Sequence, residues 1–421
     1  MNNFWDLVGF EYKKIFQRKS TFMAIAFLVG VIILSSVGSA VGGRRYHSSE
    51  EGMSAVAAGR LDKQVREENK GEMDIGHIKQ AILNNAYMTS HQENYIQNDY
   101  GKFLKDDAYI KYVLPYENEV YLINLVYEKD ISLLSTDGYR LYNQNKPIDL
   151  LTVEDGENFY PKTKQFISSM IGMGRDLSPS QEKKHQELIE KVKTPFTTGY
   201  FEGYSKFLLQ FDTVSMVLLL ALAICVIPIF TEDLSVKTQS IILSSRYGKN
   251  KSIGAKIFTG LSFTAIFSVA MIGAFLLLML TLLGFEGFDV SLQVFSPIMD
   301  YPLSVGQAGL VLFGVTVASG VMFAMISMFL ASKLKTAFGA IIVSFVILLI
   351  PAFFPLGHIP DIFIKFCPIQ MISFSTVFST KLFELFGVAM TPISFYPIYA
   401  LVMTIIFMPL AYRGLKNSQV R

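Results

Sequence analysis

Six stretches of this chain run without a single charged side chain for long enough to cross a lipid bilayer. They lie between Lys19 and Arg44, Asp212 and Glu232, Lys256 and Glu286, Asp300 and Lys333, Lys335 and Asp361, and Glu384 and Arg413. A spanning helix needs about 20 apolar residues, because each residue advances about 1.5 Å through a hydrocarbon core of about 30 Å. The shortest stretch encloses 19 residues and the longest 32. Six spans are therefore expected, some with tilt or interfacial overhang. Composition agrees: charged residues are 17% of the chain, against about 25% in soluble domains. Of the 72 charged residues, 46 fall between Arg44 and Lys206, so one water-facing domain is expected between spans one and two.

The first apolar run follows Lys13, Lys14, Arg18 and Lys19 and ends in small residues, as a signal peptide does. It exceeds the roughly 7–15 residues of a signal-peptide core and the sequence starts at Met1, so it reads as a retained helix. Basic residues in the short flanks fix orientation. Four precede span one, five follow span two (Lys237, Arg246, Lys249, Lys251, Lys256), Lys333 and Lys335 follow span four, and none occurs from Gly284 to Gly306. Both termini are thus expected in the cytoplasm and the charged domain outside. The fold class expected is an all-α polytopic membrane protein with six transmembrane helices and a mostly helical extracellular domain inserted between helices 1 and 2. The divisions are 1–20 as a cytoplasmic amphipathic interfacial helix, 21–43 as helix 1, 44–206 as the extracellular domain and 207–231 as helix 2. A cytoplasmic loop at 232–256, helices 3–6 across 257–413 and a cytoplasmic tail at 414–421 complete the chain.

Within the domain, Ser178, Pro179 and Gln181 form a capping box for a helix ending near Lys193, ahead of Pro195. Ser48 to Asn69 reads as helix, and Ser135 to Pro147 carries turn residues suited to joining two short strands. Tyr109, Tyr112, Tyr116, Tyr121 and Tyr127 read as the core of a small domain, with a ligand-gripping surface as the alternative. Before span one, Phe4, Val8, Tyr12 and Ile15 share one helical face, so this helix should lie on the membrane with Lys13, Lys14 and Arg18 toward anionic headgroups. Between spans five and six, Phe366 to Thr380 is uncharged but too short to cross, and should be re-entrant or interfacial, near 361–384. Pro351, Pro355 and Pro360 break the preceding span.

The chemistry is sparse. No G-x-x-x-x-G-K-[ST] phosphate loop and no H-E-x-x-H occurs. His47, His77, His91, His185 and His358 are scattered, and His185, beside Lys183, Lys184 and Gln186, reads as a solvated side chain. Cys225 and Cys367 form no disulfide framework. A net charge of +2 argues against nucleic acid as a partner. The spans lack the central charges that ion-coupled pumps use. No catalytic residue, metal site or cofactor is expected in this chain, and energy for any transport would have to come from another subunit.

The loop after span two runs from Phe230-Thr231-Glu232 through Thr238, Ile241-Ile242-Leu243 and Arg246 to Gly254-Ala255-Lys256. An acidic residue at the membrane exit, an apolar turn, a basic residue and a lysine at the next entry resemble the inner loop of ABC-2 type permeases, the membrane subunits of bacterial ATP-binding-cassette exporters. Glu232 and Thr238 match the family's pattern, whereas Val236-Lys237 stands where it has Glu-Gly. The resemblance extends to the amphipathic helix, the six spans and the broken segment before the last span. It implies a permease subunit in the bacterial plasma membrane that exports a hydrophobic or amphipathic substrate such as a peptide, lipid or antibiotic. It also implies a second permease copy or relative, and cytoplasmic ATPase subunits carrying ATP and Mg. Glu232, Thr238, Ile241, Ile242, Leu243 and Arg246 would then be the ATPase-coupling residues. The rival expectation is a membrane sensor or immunity protein whose outer domain binds a ligand without moving it.

Overall fold

The computed structural model describes residues 3–42, 54–98, 101–128, 146–173, 176–235, 248–353 and 364–417. Helix accounts for 79% of the structure, and the three antiparallel strand pairs among the described residues are local clips. Among the described residues, five helices are long and apolar enough to cross a membrane, as expected of a multi-pass membrane protein. They are α2 (Lys19–Val41), α8 (Glu202–Ser235), α9 (Ile253–Leu283), α10 (Val305–Leu334) and α12 (Pro392–Lys416). The stretch read as span five forms a shorter apolar helix, α11 (Ala337–Phe353), of 17 residues. Residues 354–363, with Pro355 and Pro360, lie outside the described residues.

The five long helices divide by burial. In α8 72% of the apolar window is buried, against 22% in α2 and in α12. A helix that is apolar on every side and buried on every side is the axis of a bundle, and its partly covered neighbours present the remaining apolar surface outward. Phe207, Phe211, Leu218, Leu222 and Phe230 of α8 are all at 2% exposure or less. Against it, α9 and α10 approach closely at Gly260, where an added Cβ would stand 2.5 Å from Met328 Sδ.

The amphipathic helix α1 (Asn3–Gln17) turns into α2 at Arg18, whose φ of −79° and ψ of 129° break the helix. Val8 and Ile15 are buried against the bundle, and Phe16 packs on Phe263 at 5.9 Å. Tyr12 shares a hydrogen bond of 2.8 Å with Ser262. The apolar face therefore meets protein along α9, and not lipid alone.

The inserted domain is mostly helical. It contains α3 (Ala55–Glu68), α4 (Ile75–Ser90), α5 (Glu117–Val126), α6 (Phe159–Gly172) and α7 (Pro179–Lys191). The expected capping box is present: Ser178 Oγ accepts from Gln181 N and Gln181 Oε1 accepts from Ser178 N. The helix expected over Ser48–Asn69 begins at Ala55, capped by Ser54. The strand pair expected around Ser135 lies outside the described residues. Of the tyrosines read as core, Tyr109 is buried and Tyr121 is 41% exposed, because the latter sits on the outer side of α5.

Two clips seat the domain on the bundle end opposite the chain termini. Strands β1 (Gly71–Met73) and β2 (Phe196–Thr198) pair with Met73 opposite Phe196, just before α8 begins. The hairpin of β3 (Phe383–Leu385) and β4 (Val388–Met390) turns through Phe386 and Gly387, at φ 52° and 79°, the two positive angles that a tight hairpin requires. It reaches α7 through Ser178 Oγ, which donates to Glu384 at 2.7 Å, and Ser180 Oγ, which accepts from Ala389 N at 3.0 Å. The apolar core runs without a break from Met73, Ile78 and Phe159 in the domain to Phe207 and Phe275 in the bundle.

The uncharged run before the last helix enters the bundle. It forms a turn at Pro368–Ile372 and a short helix at Phe374–Val377. Ser319, midway along α10, donates to the Pro368 carbonyl at 3.3 Å. Asp212 of α8 accepts from Ser373 Oγ at 2.6 Å and from Phe374 N at 2.9 Å, capping the short helix from outside it.

Candidate functional site

Six charged residues converge where α1, α8 and α9 meet at the terminal end of the bundle. Glu11, Lys14 and Arg18 come from α1 and its junction with α2. Glu232 and Asp233 come from the last turn of α8, and Lys256 from the first turn of α9. Lys256 is 4% exposed, and its Nζ stands 2.7 Å from Glu11 Oε1, 2.8 Å from Asp233 Oδ2 and 2.9 Å from the Ile229 carbonyl. That set satisfies all three protons of its ammonium. Lys14 donates to Asp233 Oδ1 at 2.8 Å, and Arg18 Nη2 donates to Glu232 Oε2 at 2.5 Å.

The cluster holds three acids and three bases. Neutrality is what makes such burial tolerable, because an isolated ion withdrawn from water costs several kcal/mol and pairing offsets most of it. Burial is graded across it. Glu11 and Asp233 are 5% and 7% exposed, whereas the Glu232 side chain retains 36% of its surface. Asp233 is the hub, bridging Lys14 of α1 and Lys256 of α9, and Glu232 is the rim.

Two expectations are corrected here. Lys14 and Arg18 do not face outward toward headgroups: both turn to the end of α8, where buried carboxylates attract them more strongly than screened lipid charge could. Lys256, expected to close the cytoplasmic loop 232–256, is not a loop residue. It lies inside a helix, and its partner Glu11 is 245 residues away. Of the residues expected to couple to an ATPase, Glu232 belongs to the cluster. Thr238, Ile241, Ile242, Leu243 and Arg246 lie outside the described residues, in the segment that the cluster brackets.

Elsewhere, His185 is a further correction. It is 4% exposed, with Nδ1 2.6 Å from Oδ2 of Asp300, itself fully buried in the segment between α9 and α10. In the domain, burial pushes Glu119 up to about 7, with Arg66 pulling the other way. Arg66 pairs with Asp62 and Glu117, and burial raises Asp62 despite that neighbour. Compared with family models and with curated proteins, the chain matches none.

Proposed function

We propose that this chain is the permease subunit of an ATP-driven exporter of the ABC-2 type, acting in a bacterial plasma membrane with both termini cytoplasmic and the inserted domain extracellular. The observation that carries the reading is the six-residue cluster, because it fastens together the two ends of the 236–247 segment and the amphipathic helix beside them. A push on that segment by a partner would be delivered through Asp233 and Lys256 to α8 and α9 at once, and through Lys14 and Arg18 to α1 and α2. Such a brace suits a coupling loop, since packed elements move as units and do not deform continuously. Six spans, counting α11 as the fifth, and a re-entrant run at Pro368–Val377 complete the reading. The buried faces of the bundle helices are rich in Leu, Phe and Met with few fixed charges, and a pathway formed between such helices would favour an amphipathic or hydrophobic cargo.

In this reading Ile241, Ile242 and Leu243 form the apolar contact with the ATPase, and Thr238 and Arg246 flank it. The experiment is pull-down of a P-loop ATPase by wild-type and Leu243→Asp protein at equal membrane expression. A buried unpaired carboxylate should cost several kcal/mol of association. Binding and ATPase turnover unchanged by the substitution would remove the coupling assignment. A stable complex without any ATPase would favour the sensor reading instead.

A further inference from the structure

The β3–β4 hairpin has two unlike faces. Residues paired across an antiparallel ribbon point to the same side, and the side alternates along each strand. Phe383 with Met390 and Leu385 with Val388 therefore share one face, and Glu384 with Ala389 makes the other. The second face meets the inserted domain: Glu384 accepts from Ser178 Oγ at 2.7 Å, and Ala389, itself buried, donates its N–H to Ser180 Oγ at 3.0 Å. The first face starts on the bundle, where the Phe383 ring stacks on Phe395 of α12 at 4.0 Å and meets Tyr396 edge-on at 5.4 Å. Farther out on that face Leu385 and Val388 are 44% and 61% exposed, and Phe386 at the turn is fully exposed. An apolar overhang thus leaves the bundle on the side turned away from the domain.

The turn residue is a second, independent observation. A two-residue hairpin turn with φ positive at both positions selects Asn, Asp or Gly at the first, because most side chains are crowded in that conformation. Gly387 meets the requirement at the second position, whereas Phe386, at φ 52°, holds a bulky side chain where such residues are seldom found. Neither turn geometry nor packing within the chain accounts for phenylalanine there, so its apolar surface calls for a medium outside the chain.

The height of the hairpin identifies that medium. From Pro392 to Tyr412, 21 residues, α12 has no charged side chain, a rise of about 30 Å that matches the hydrocarbon core. Arg413 and Lys416 in its last turn mark the headgroups at the terminal end, so Pro392 stands at the edge of the hydrocarbon on the domain side. The hairpin ends at Met390, two residues before it. From Leu382 to Thr391 the only charged side chain is Glu384, which lies on the face turned to the domain. We propose that Leu385, Phe386 and Val388 form a wedge that enters the lipid leaflet on the domain side and holds the seat of the inserted domain against the membrane. The exposed Ile398 and Leu401 of α12 continue the same apolar surface inward. The proposal does not depend on any ATPase partner.

The test uses the full chain with Trp5, its single tryptophan, changed to Phe, reconstituted in phosphatidylcholine vesicles. Tryptophan is then placed at one position at a time, as Phe386→Trp, Val388→Trp, Leu401→Trp within α12 and Leu150→Trp at an exposed site of the inserted domain. Quenching is read with phosphatidylcholine brominated near the headgroup, with phosphatidylcholine brominated deep in its chains, and with aqueous acrylamide. Leu401→Trp should be quenched by brominated lipid and Leu150→Trp by acrylamide only, which sets the two limits. Phe386→Trp and Val388→Trp should be quenched more strongly by the shallow bromines than by the deep ones, with emission blue-shifted from that of Leu150→Trp. Two wedge positions are used so that a variant that fails to fold, seen in its thermal midpoint, leaves the other to decide. Lipid quenching at either position sustains the proposal. Quenching by acrylamide alone at both would place the hairpin in water, and quenching by neither agent would place it against protein, such as a second copy of the chain; either result overturns the proposal.

Discussion

Glu11 and Lys256 stand 245 residues apart in sequence and 2.7 Å apart in the fold, both nearly excluded from water. Their contact fixes α1 to the first turn of α9, and Asp233 shares the same ammonium. Removing one member of a buried charge network strands its partners. Lys256→Met should therefore lower stability by about 3–5 kcal/mol, read as a fall in the thermal midpoint in detergent. Restoring neutrality with Glu11→Gln in the same chain should recover part of that loss. If the two losses simply add, the pair carries no coupling.

The grading of burial across the cluster makes a second expectation. Glu232→Gln touches a side chain still 36% exposed, so water can replace the lost charge and the effect on stability should stay within about 1 kcal/mol. Asp233→Asn removes the charge that both Lys14 and Lys256 share, and should cost several times more. Equal midpoints for the two variants would contradict the hub-and-rim arrangement.

A pH dependence follows from Glu119. Below about pH 4.5 its carboxyl is protonated in the folded and the unfolded chain alike. Between 4.5 and about 7 the unfolded chain releases the proton and the folded one retains it, so this group makes stability fall as pH rises. The loss is on the order of 3 kcal/mol and is complete once pH passes the folded value. Thermal midpoints of wild-type and Glu119→Gln protein from pH 4 to 8 measure it: the variant should lack this component, and parallel curves would contradict it.

What the sequence discloses follows from which interactions are local. Bilayer thickness sets the length of an apolar run, so the long helices are legible from charge spacing alone, and Ser178 with Gln181 declares a helix start within four residues. The cluster is not legible by the same means, because counting basic residues on a flank treats Lys256 by itself and says nothing of Glu11. One signal was present: Glu11 falls between Val8 and Ile15 on the buried side of α1, and a carboxylate on an apolar stripe needs a buried cation. His185 misled because its neighbours in sequence, Lys183 and Lys184, point to other sides of α7. Asp300 enters from a segment 115 residues away.

That His185–Asp300 contact supports the last expectation. It joins α7 of the inserted domain to the segment between α9 and α10, with the His185 and Asp300 side chains 5% and 1% exposed. His185 Nε2 and Asp300 Oδ1 are buried without other partners among the described residues, so each group depends heavily on the other. His185→Ala should leave Asp300 unpaired in an apolar surround, costing about 3 kcal/mol or more, whereas Asp300→Asn keeps an acceptor for the imidazole N–H and should cost less. The loss should be local. Hydrogen exchange should quicken in α7 and in the 296–304 segment of the His185→Ala protein while the amides of α8 stay protected, because α8 draws its stability from apolar packing that the substitution does not touch. Uniform acceleration through α8 would mean that the contact holds the whole bundle, and unchanged exchange in α7 would mean that the strand and hairpin clips seat the domain without it.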